Sequence, residues 1–173
     1  MYSSSLAKGI GNALSGFQSM SLDDGPQVEV ALGVLADKLE ACASVMTPLD
    51  LSNALYGLQG ISSNSLDVRT LLNALIAKMK ESEGVYTGRD IGYSLIGLSG
   101  MQPVMHNEVH EMFEELCIKV SRSEYKGQPN LLFKQFGKGV RVKRGNSKLT
   151  YDNAKNLVDK KIPGHGERVV WLE

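Results

Sequence analysis

The sequence contains little cysteine and no long apolar run, and both absences narrow the kind of protein it encodes. Its two cysteines, Cys42 and Cys117, are distant in sequence, and we expect reduced thiols rather than a disulfide framework. No apolar stretch approaches the roughly 18 residues that a membrane-spanning helix requires, so we expect no membrane insertion. The serine-rich start, MYSSSLAKGI, also lacks the apolar segment of a secretory signal.

The sequence also lacks the residue sets that enzymes use, and we predict no catalytic residue, metal or cofactor. We find no motif that supplies a nucleophile, its general base and a residue to orient that base. The GKG segment at 137–139 lacks the spacing of a phosphate-binding loop. His106, His110 and Glu114 follow at i, i+4, i+8, a spacing that can hold zinc. Their order is not that of the HExxH motif, so we favour surface residues at the start of a helix.

The chain has no net charge, but its two ends carry opposite charge. Residues 1–130 contain nine Lys and Arg against fifteen Asp and Glu, a net charge of −6. Residues 131–161 contain nine Lys and Arg against two Asp, a net charge of +7. Such a division predicts a partner for the basic end.

The segment 47–61, TPLDLSNALYGLQGI, has the signals of a complete helix. Thr47 is a favourable N-cap, Pro48 takes the first helical position, and Asp50 has the spacing of a capping box. Apolar residues then recur with helical period, and we predict that this stripe faces the core. The stripe comprises Leu51, Ala54, Leu55, Leu58 and Ile61.

Three copies of this segment occur, with Ile10, Leu51 and Ile91 as equivalent residues, so the copies are 41 and 40 residues apart. The cap recurs in the third copy as Thr87 with Asp90. A second helical segment recurs in step with the first, at 28–39, 68–79 and 109–120. Two helices in a unit of about forty residues are typical of an α-solenoid.

We therefore predict an all-α fold, an α-solenoid of about three tandem 40-residue helix-turn-helix repeats with a basic C-terminal extension. Residues 1–130 would form the repeat array, with units at about 6–46, 47–86 and 87–126. Residues 131–173 would form a degenerate fourth unit and a basic tail.

One glycine recurs in the middle of the first helix of every unit, as Gly16, Gly57 and Gly97. Glycine inside a helix costs about 1 kcal/mol relative to alanine, so its recurrence requires a reason. We predict that a neighbouring helix approaches each of these positions so closely that a Cβ would clash.

A polar row lies beside the apolar stripe of each first helix. In the three units it reads Asn12, Ser15, Gln18; Asn53, Tyr56, Gln59; and Tyr93, Ile96, Ser99. Amides hydrogen-bond to base edges and aromatic rings stack on bases, so the row is a candidate RNA-binding surface. The alternative interpretation is a solvated polar face without a ligand.

The segment 47–61 resembles the first helix of the octotricopeptide repeat, with its Ser/Thr cap, Asp-Leu, Asn, Leu and an aromatic residue. It is also similar to the helical repeats of FAST-kinase-like organellar proteins, over about residues 6–122. The resemblance implies an RNA-binding solenoid of mitochondria or chloroplasts that acts in RNA stability, processing, translation or ribosome assembly. Asn12 and Asn53 match the asparagine of the pattern, and Tyr56 matches its aromatic position.

The predicted function is therefore binding of single-stranded or ribosomal RNA in organellar gene expression. The alternative is a non-catalytic protein-binding scaffold or accessory subunit of a larger organellar complex, since the repeat fold serves both. The basic segment would supply phosphate contacts. The candidate RNA-binding residues are Asn12, Gln18, Asn53, Tyr56, Gln59, Tyr93, Lys138, Arg141, Lys143 and Arg144.

Overall fold

The computed structural model describes residues 3–98, 101 and 106–122, and the regular structure of this part is helical. The helices are α1 (Ser3–Ser15), α2 (Pro26–Glu40), α3 (Pro48–Gly57), α4 (Leu66–Glu81), α5 (Gly88–Leu98) and α6 (Asn107–Arg122), with a 3-10 turn at Leu22–Asp24. The predicted all-α class is confirmed for these residues. The segment predicted as a fourth unit and basic tail, 131–173, lies outside them. Among the described helices, none is long and apolar enough to span a bilayer.

The helices pack in two rows. In the first, the A row, α1 packs against α3, and α3 packs against α5. In the second, the B row, α2 packs against α4, and α4 packs against α6. Each A-row helix also contacts the B-row helix that follows it, which gives the pairs α1–α2, α3–α4 and α5–α6. The two rows thus bury one continuous apolar cluster between them.

The predicted apolar stripe of α3 lies in this core. All five of its residues are fully buried: Leu51, Ala54, Leu55, Leu58 and Ile61. Met46 and Tyr86, which precede the caps of α3 and α5, are also buried. The helical period of the sequence therefore identified the buried side of this helix correctly.

The predicted capping boxes are confirmed at α3 and α5. The backbone N–H of Thr47 donates to Asp50 Oδ2 at 3.1 Å, and the N–H of Asp50 donates to Thr47 Oγ1 at 3.2 Å. Thr87 and Asp90 make the same pair of bonds at 2.8 and 3.3 Å. Each box satisfies backbone donors that a helix N-terminus leaves unpaired, and so fixes where the helix begins.

The first helix of the second unit, α3, ends earlier than the spacing of apolar residues predicts. The prediction extended α3 to Ile61, whereas the helix ends at Gly57. The chain then continues in tight turns, with N–H of Leu58 donating to the carbonyl of Leu55 and N–H of Ile61 to that of Leu58, both at 2.9 Å. Such turns keep apolar residues directed at the core at nearly helical spacing, which is why the pattern did not reveal the change.

The predicted close approach at the recurring glycine is confirmed at two of the three positions. A Cβ at Gly57 would overlap with the carbonyl oxygen of Leu14, and a Cβ at Gly97 would overlap with that of Leu55. The prediction is wrong for Gly16, which is exposed. A Cβ there would meet the carbonyl of Ala13 in its own turn at 3.1 Å.

Polar side chains also join adjacent pairs. Ser52 on α3 donates to Asp90 Oδ1 on α5 at 3.3 Å, in a buried contact. In the B row, the hydroxyl of Ser65 donates to Glu29 at 2.5 Å. The Lys119 ammonium group donates to the carbonyl of Ser82 at 2.7 Å.

Candidate nucleic-acid interface

The A row places the described candidate residues at the molecular surface, beside the buried stripe. Asn12 and Gln18 of the first pair are exposed. Asn53, Tyr56 and Gln59 of the second pair are half-buried. Tyr93 of α5 is also half-buried. The four basic candidates, Lys138, Arg141, Lys143 and Arg144, lie outside the described residues.

Two aromatic rings of this row are in contact. Tyr56 on α3 and Tyr93 on α5 stack with their ring centroids 4.6 Å apart and an angle of 24° between the ring planes. Tyr93 occupies the position equivalent to Asn53 rather than to Tyr56, so the stack runs diagonally between neighbouring helices. An offset stack of this kind holds both rings in defined orientations.

Arg89 extends the stack and was not among the predicted residues. Its guanidinium carbon lies 4.9 Å from the centroid of the Tyr93 ring, in a cation–π contact, and the side chain is exposed. Arg89 and Tyr93 are four residues apart on one helix, and this spacing is the signal that identifies the contact from sequence. Arg89, Tyr93 and Tyr56 are called the aromatic ladder below.

A hydrogen bond fixes one amide of the row. Nε2 of Gln59 donates to the backbone carbonyl of Gln18 at 2.7 Å, which connects the turn after α3 to the turn after α1. The bond uses one of the two protons on the amide nitrogen. The Gln59 side chain is therefore held in place while retaining a second proton and a carbonyl oxygen for recognition.

The acidic charge of the described chain lies mainly away from the A row. The A-row helices contain two cations, Lys8 and Arg89, and two carboxylates, Asp50 and Asp90, so their net charge is zero. Both carboxylates accept hydrogen bonds in the capping boxes. The surplus of carboxylates is on the B row and in the connecting loops. An anionic ligand would thus meet less repulsion at the A row than the overall charge implies.

The perturbed ionisable groups lie outside the polar row. The hydrogen bond to Glu111 raises the pKa of Lys80, on the B row, above its ordinary value. Burial raises the pKa of Tyr86 well above its ordinary value, and the nearby carboxylates of Asp90 and Glu115 raise it further. Within the described ranges, no three His, Cys, Asp or Glu side chains are arranged to hold a metal ion.

Comparisons with known proteins give no further assignment. No protein-family model matches the sequence, and neither the curated proteins nor the solved structures provide a significant match.

Proposed function

We propose that the chain is an RNA-binding α-solenoid of about three 40-residue repeats, similar to the octotricopeptide repeats, that acts in organellar gene expression. The observation that carries this proposal is the aromatic ladder on the surface of the A row. Nucleic-acid bases stack on aromatic side chains and on arginine planes whatever their sequence, and each such stack contributes about 1–3 kcal/mol.

The ladder offers a base one particular place to bind. One face of the Tyr56 ring is covered by Tyr93 on the α5 side. Among the described helices, α1 and α5 each pack against α3 and not against each other, so we assign a base stacked on the other face of Tyr56 to the α1 side. The small Ser15 occupies the position in the first unit that is equivalent to Tyr56, so a base has room to stack there.

The amides of the row then supply recognition of the base edge. Asn12 and Asn53 lie one helical turn before Ser15 and Tyr56, on the same side of their helices. Asparagine and glutamine amides present a donor and an acceptor, which match the edges of unpaired bases. Gln59, held by the carbonyl of Gln18, presents its remaining amide groups without a large loss of side-chain entropy on binding.

Phosphate contacts would come from the basic segment. RNA affinity depends strongly on Lys and Arg contacts to phosphate, and the A-row helices contribute only Lys8 and Arg89. The surplus of positive charge lies in residues 131–161. Lys138, Arg141, Lys143 and Arg144 are the residues that we assign to this role.

Binding of the full chain to labelled single-stranded RNA, measured over a series of salt concentrations, tests the proposal. Arg141→Glu combined with Lys143→Glu should weaken binding to every sequence and reduce the salt dependence, whereas Tyr56→Ala should change the sequence preference. Lys38→Glu with Arg122→Glu makes the same change in net charge at exposed positions of the B row and should have little effect. If the intact chain binds no RNA at low salt, the proposal is wrong.

A protein-binding scaffold is the second candidate function. It is favoured by two apolar residues on α2, Val30 and Val34, whose side chains are 62% and 51% exposed. The net charge of −6 over residues 1–130 also favours a protein partner over RNA for the helical part. Failure of the RNA-binding experiment would make this the leading function.

A further inference from the structure

Equivalent residues of the A-row helices lie side by side. Ser52 of α3 donates to the carboxylate of Asp90, near the start of α5, at 3.3 Å. At the equivalent place between α1 and α3, a Cβ on Gly11 would meet the backbone oxygen of Asp50 at 3.0 Å. The close approach at the recurring glycine joins the other ends of the same helices. The A-row helices are therefore parallel and in register.

One exposed position lies a single helical turn before the polar row on each A-row helix. It is occupied by Lys8 on α1, Leu49 on α3 and Arg89 on α5, and all three residues are exposed. Each precedes the first residue of the polar row by four residues, so it lies on the same side of its helix. The contact between Arg89 and Tyr93 is an example of this spacing. Lys8, Leu49 and Arg89 are called the N-terminal edge below.

Arg89 places a positive charge directly beside the stacked rings. Its guanidinium carbon lies 4.9 Å from the centroid of the Tyr93 ring. Among the described residues, the structure gives Arg89 no ion pair with a carboxylate. The N–H groups of a guanidinium match phosphate oxygens in pairs, and a contact with an aromatic face leaves those groups available. Arg89 can thus bind the phosphate of a nucleotide whose base stacks on the aromatic ladder.

Side chains rather than helix termini would provide this contact. The N-terminus of a helix attracts anions through its unpaired backbone N–H groups. At α3 and α5, however, the carboxylates of Asp50 and Asp90 accept hydrogen bonds in the capping boxes, so a negative charge already lies at each of these ends. A phosphate group would therefore be bound by the cations of the N-terminal edge.

We infer that the N-terminal edge binds the sugar–phosphate backbone of the RNA strand, with Lys8 and Arg89 as phosphate contacts and the bases directed toward Tyr56. The strand would cross the A-row helices, with its phosphates at the N-terminal edge and its bases on the polar row. Leu49, which is 45% exposed, leaves the middle position of the edge without a charge. This inference rests on the proposed RNA binding and adds the orientation of the strand.

Adding a cation at the middle position tests this orientation. Binding of the full-length Leu49→Arg chain to labelled single-stranded RNA is measured over a series of salt concentrations. The variant should bind more tightly at low salt. The dependence of the logarithm of the binding constant on that of the salt concentration should steepen by about 0.7, the contribution of one phosphate contact on a single strand. Arg89→Gln should reduce the slope by a similar amount.

Two further variants separate a local contact from a general effect of charge. Val30→Arg adds the same charge at a 62% exposed position of α2, on the B row, and should change the salt dependence little. Tyr56→Ala should reduce the gain from Leu49→Arg, because positions 49 and 56 lie on one side of α3 and the phosphate is held there by the stacked base. Leu49→Lys is a second variant with the same added charge, and circular dichroism checks that each chain is folded.

The possible results distinguish this inference from the proposed function. Equal effects of Leu49→Arg and Val30→Arg, an unchanged slope in Arg89→Gln, or a gain that Tyr56→Ala does not reduce would overturn the orientation of the strand while RNA binding itself stands. If the native chain binds no RNA at low salt, the proposed function is wrong and this inference is wrong with it.

Discussion

Gly97 of α5 lies directly against the backbone carbonyl of Leu55 on α3, so that a Cβ at this position would overlap with the oxygen atom. The same relationship holds one pair earlier between Gly57 and Leu14. The absence of a side chain lets neighbouring A-row helices approach with their backbones almost in contact. This approach brings Tyr56 and Tyr93 within stacking distance, so the glycines and the aromatic ladder depend on the same helix packing.

Replacing the glycine should therefore destabilise the whole stack of pairs. We expect Gly97→Ala to lower the free energy of unfolding by about 1–3 kcal/mol or more, because backbone rather than a flexible side chain must move. Gly9→Ala is the matched control, since a helical glycine with open space gains up to about 1 kcal/mol on replacement by alanine. Urea unfolding followed by circular dichroism measures both changes. Equal effects of the two substitutions would contradict the packing role.

The buried lysine should contribute through the carbonyl that it caps. Lys119→Met removes a donor to Ser82 and leaves Glu115, whose carboxylate is 3.6 Å from the ammonium group, without its partner. Hydrogen bonds to charged groups contribute about 1.5–3 kcal/mol, and we expect a loss of this size in urea unfolding. Lys38→Met, at the equivalent exposed position, should change stability little. A comparable loss for both variants would show that the cap is not the cause.

The two capping boxes should differ in their contribution. In the described contacts, Asp50 forms hydrogen bonds only with Thr47 of its own capping box. Asp90 is buried and accepts a hydrogen bond from the hydroxyl of Ser52 in addition to those of its capping box. We expect Asp50→Ala to cost about 1 kcal/mol, as for loss of a cap, and Asp90→Ala to cost about 2 kcal/mol or more. Thermal and urea unfolding of the two variants measure this difference. A smaller cost at Asp90 would contradict the role of the Ser52 bond between α3 and α5.

Tyr86 should make stability fall at alkaline pH. Its pKa is raised in the folded chain because burial disfavours the phenolate and because Asp90 and Glu115 are nearby. Below about pH 10, the ordinary tyrosine pKa, the folded and the unfolded chain both keep the proton of Tyr86, so this residue adds no pH dependence to the stability. Above it the unfolded chain releases the proton while the folded chain retains it, so stability decreases as pH rises.

Unfolding of the native chain and of Tyr86→Phe, measured from about pH 8 to pH 11, tests this effect. The variant should lose less stability over this range. Lys80, whose pKa is also raised, is present in both chains, so its contribution cancels in the comparison. Parallel pH dependences of the two chains would contradict the raised pKa of Tyr86.

Local features of the fold could be predicted because they depend on residues close in sequence. The capping boxes of Thr47 and Thr87 require partners only three residues away, and the stripe of α3 follows from helical period. The close helix approach predicted at Gly16 was wrong because it depends on residues distant in sequence. The residue type at that position is the same as at Gly57, but the reason for it lies in a neighbouring helix, which the repeat pattern does not reveal.

The candidate site was predictable to a similar extent. Asn53 and Tyr56 on α3 and Gln59 in the turn after it recur at the predicted spacing, and the structure leaves all three half-buried beside the apolar stripe. The contact between Tyr56 and Tyr93 was not predicted, because Tyr93 occupies the position equivalent to Asn53. Their stacking depends on how far α5 is displaced along α3, which is a property of the packed helices rather than of either sequence segment.

Fluorescence of a tryptophan at position 56 tests most directly whether the aromatic ladder binds RNA bases. The chain has one tryptophan, Trp171, so Tyr56→Trp with Trp171→Phe gives a single reporter, and Val85→Trp in the same background gives an exposed control. Titration with single-stranded RNA should quench the tryptophan at 56 at the RNA concentrations that give binding by anisotropy, and should leave the control nearly unchanged. RNA binding without quenching at position 56 would contradict the proposed base-stacking surface.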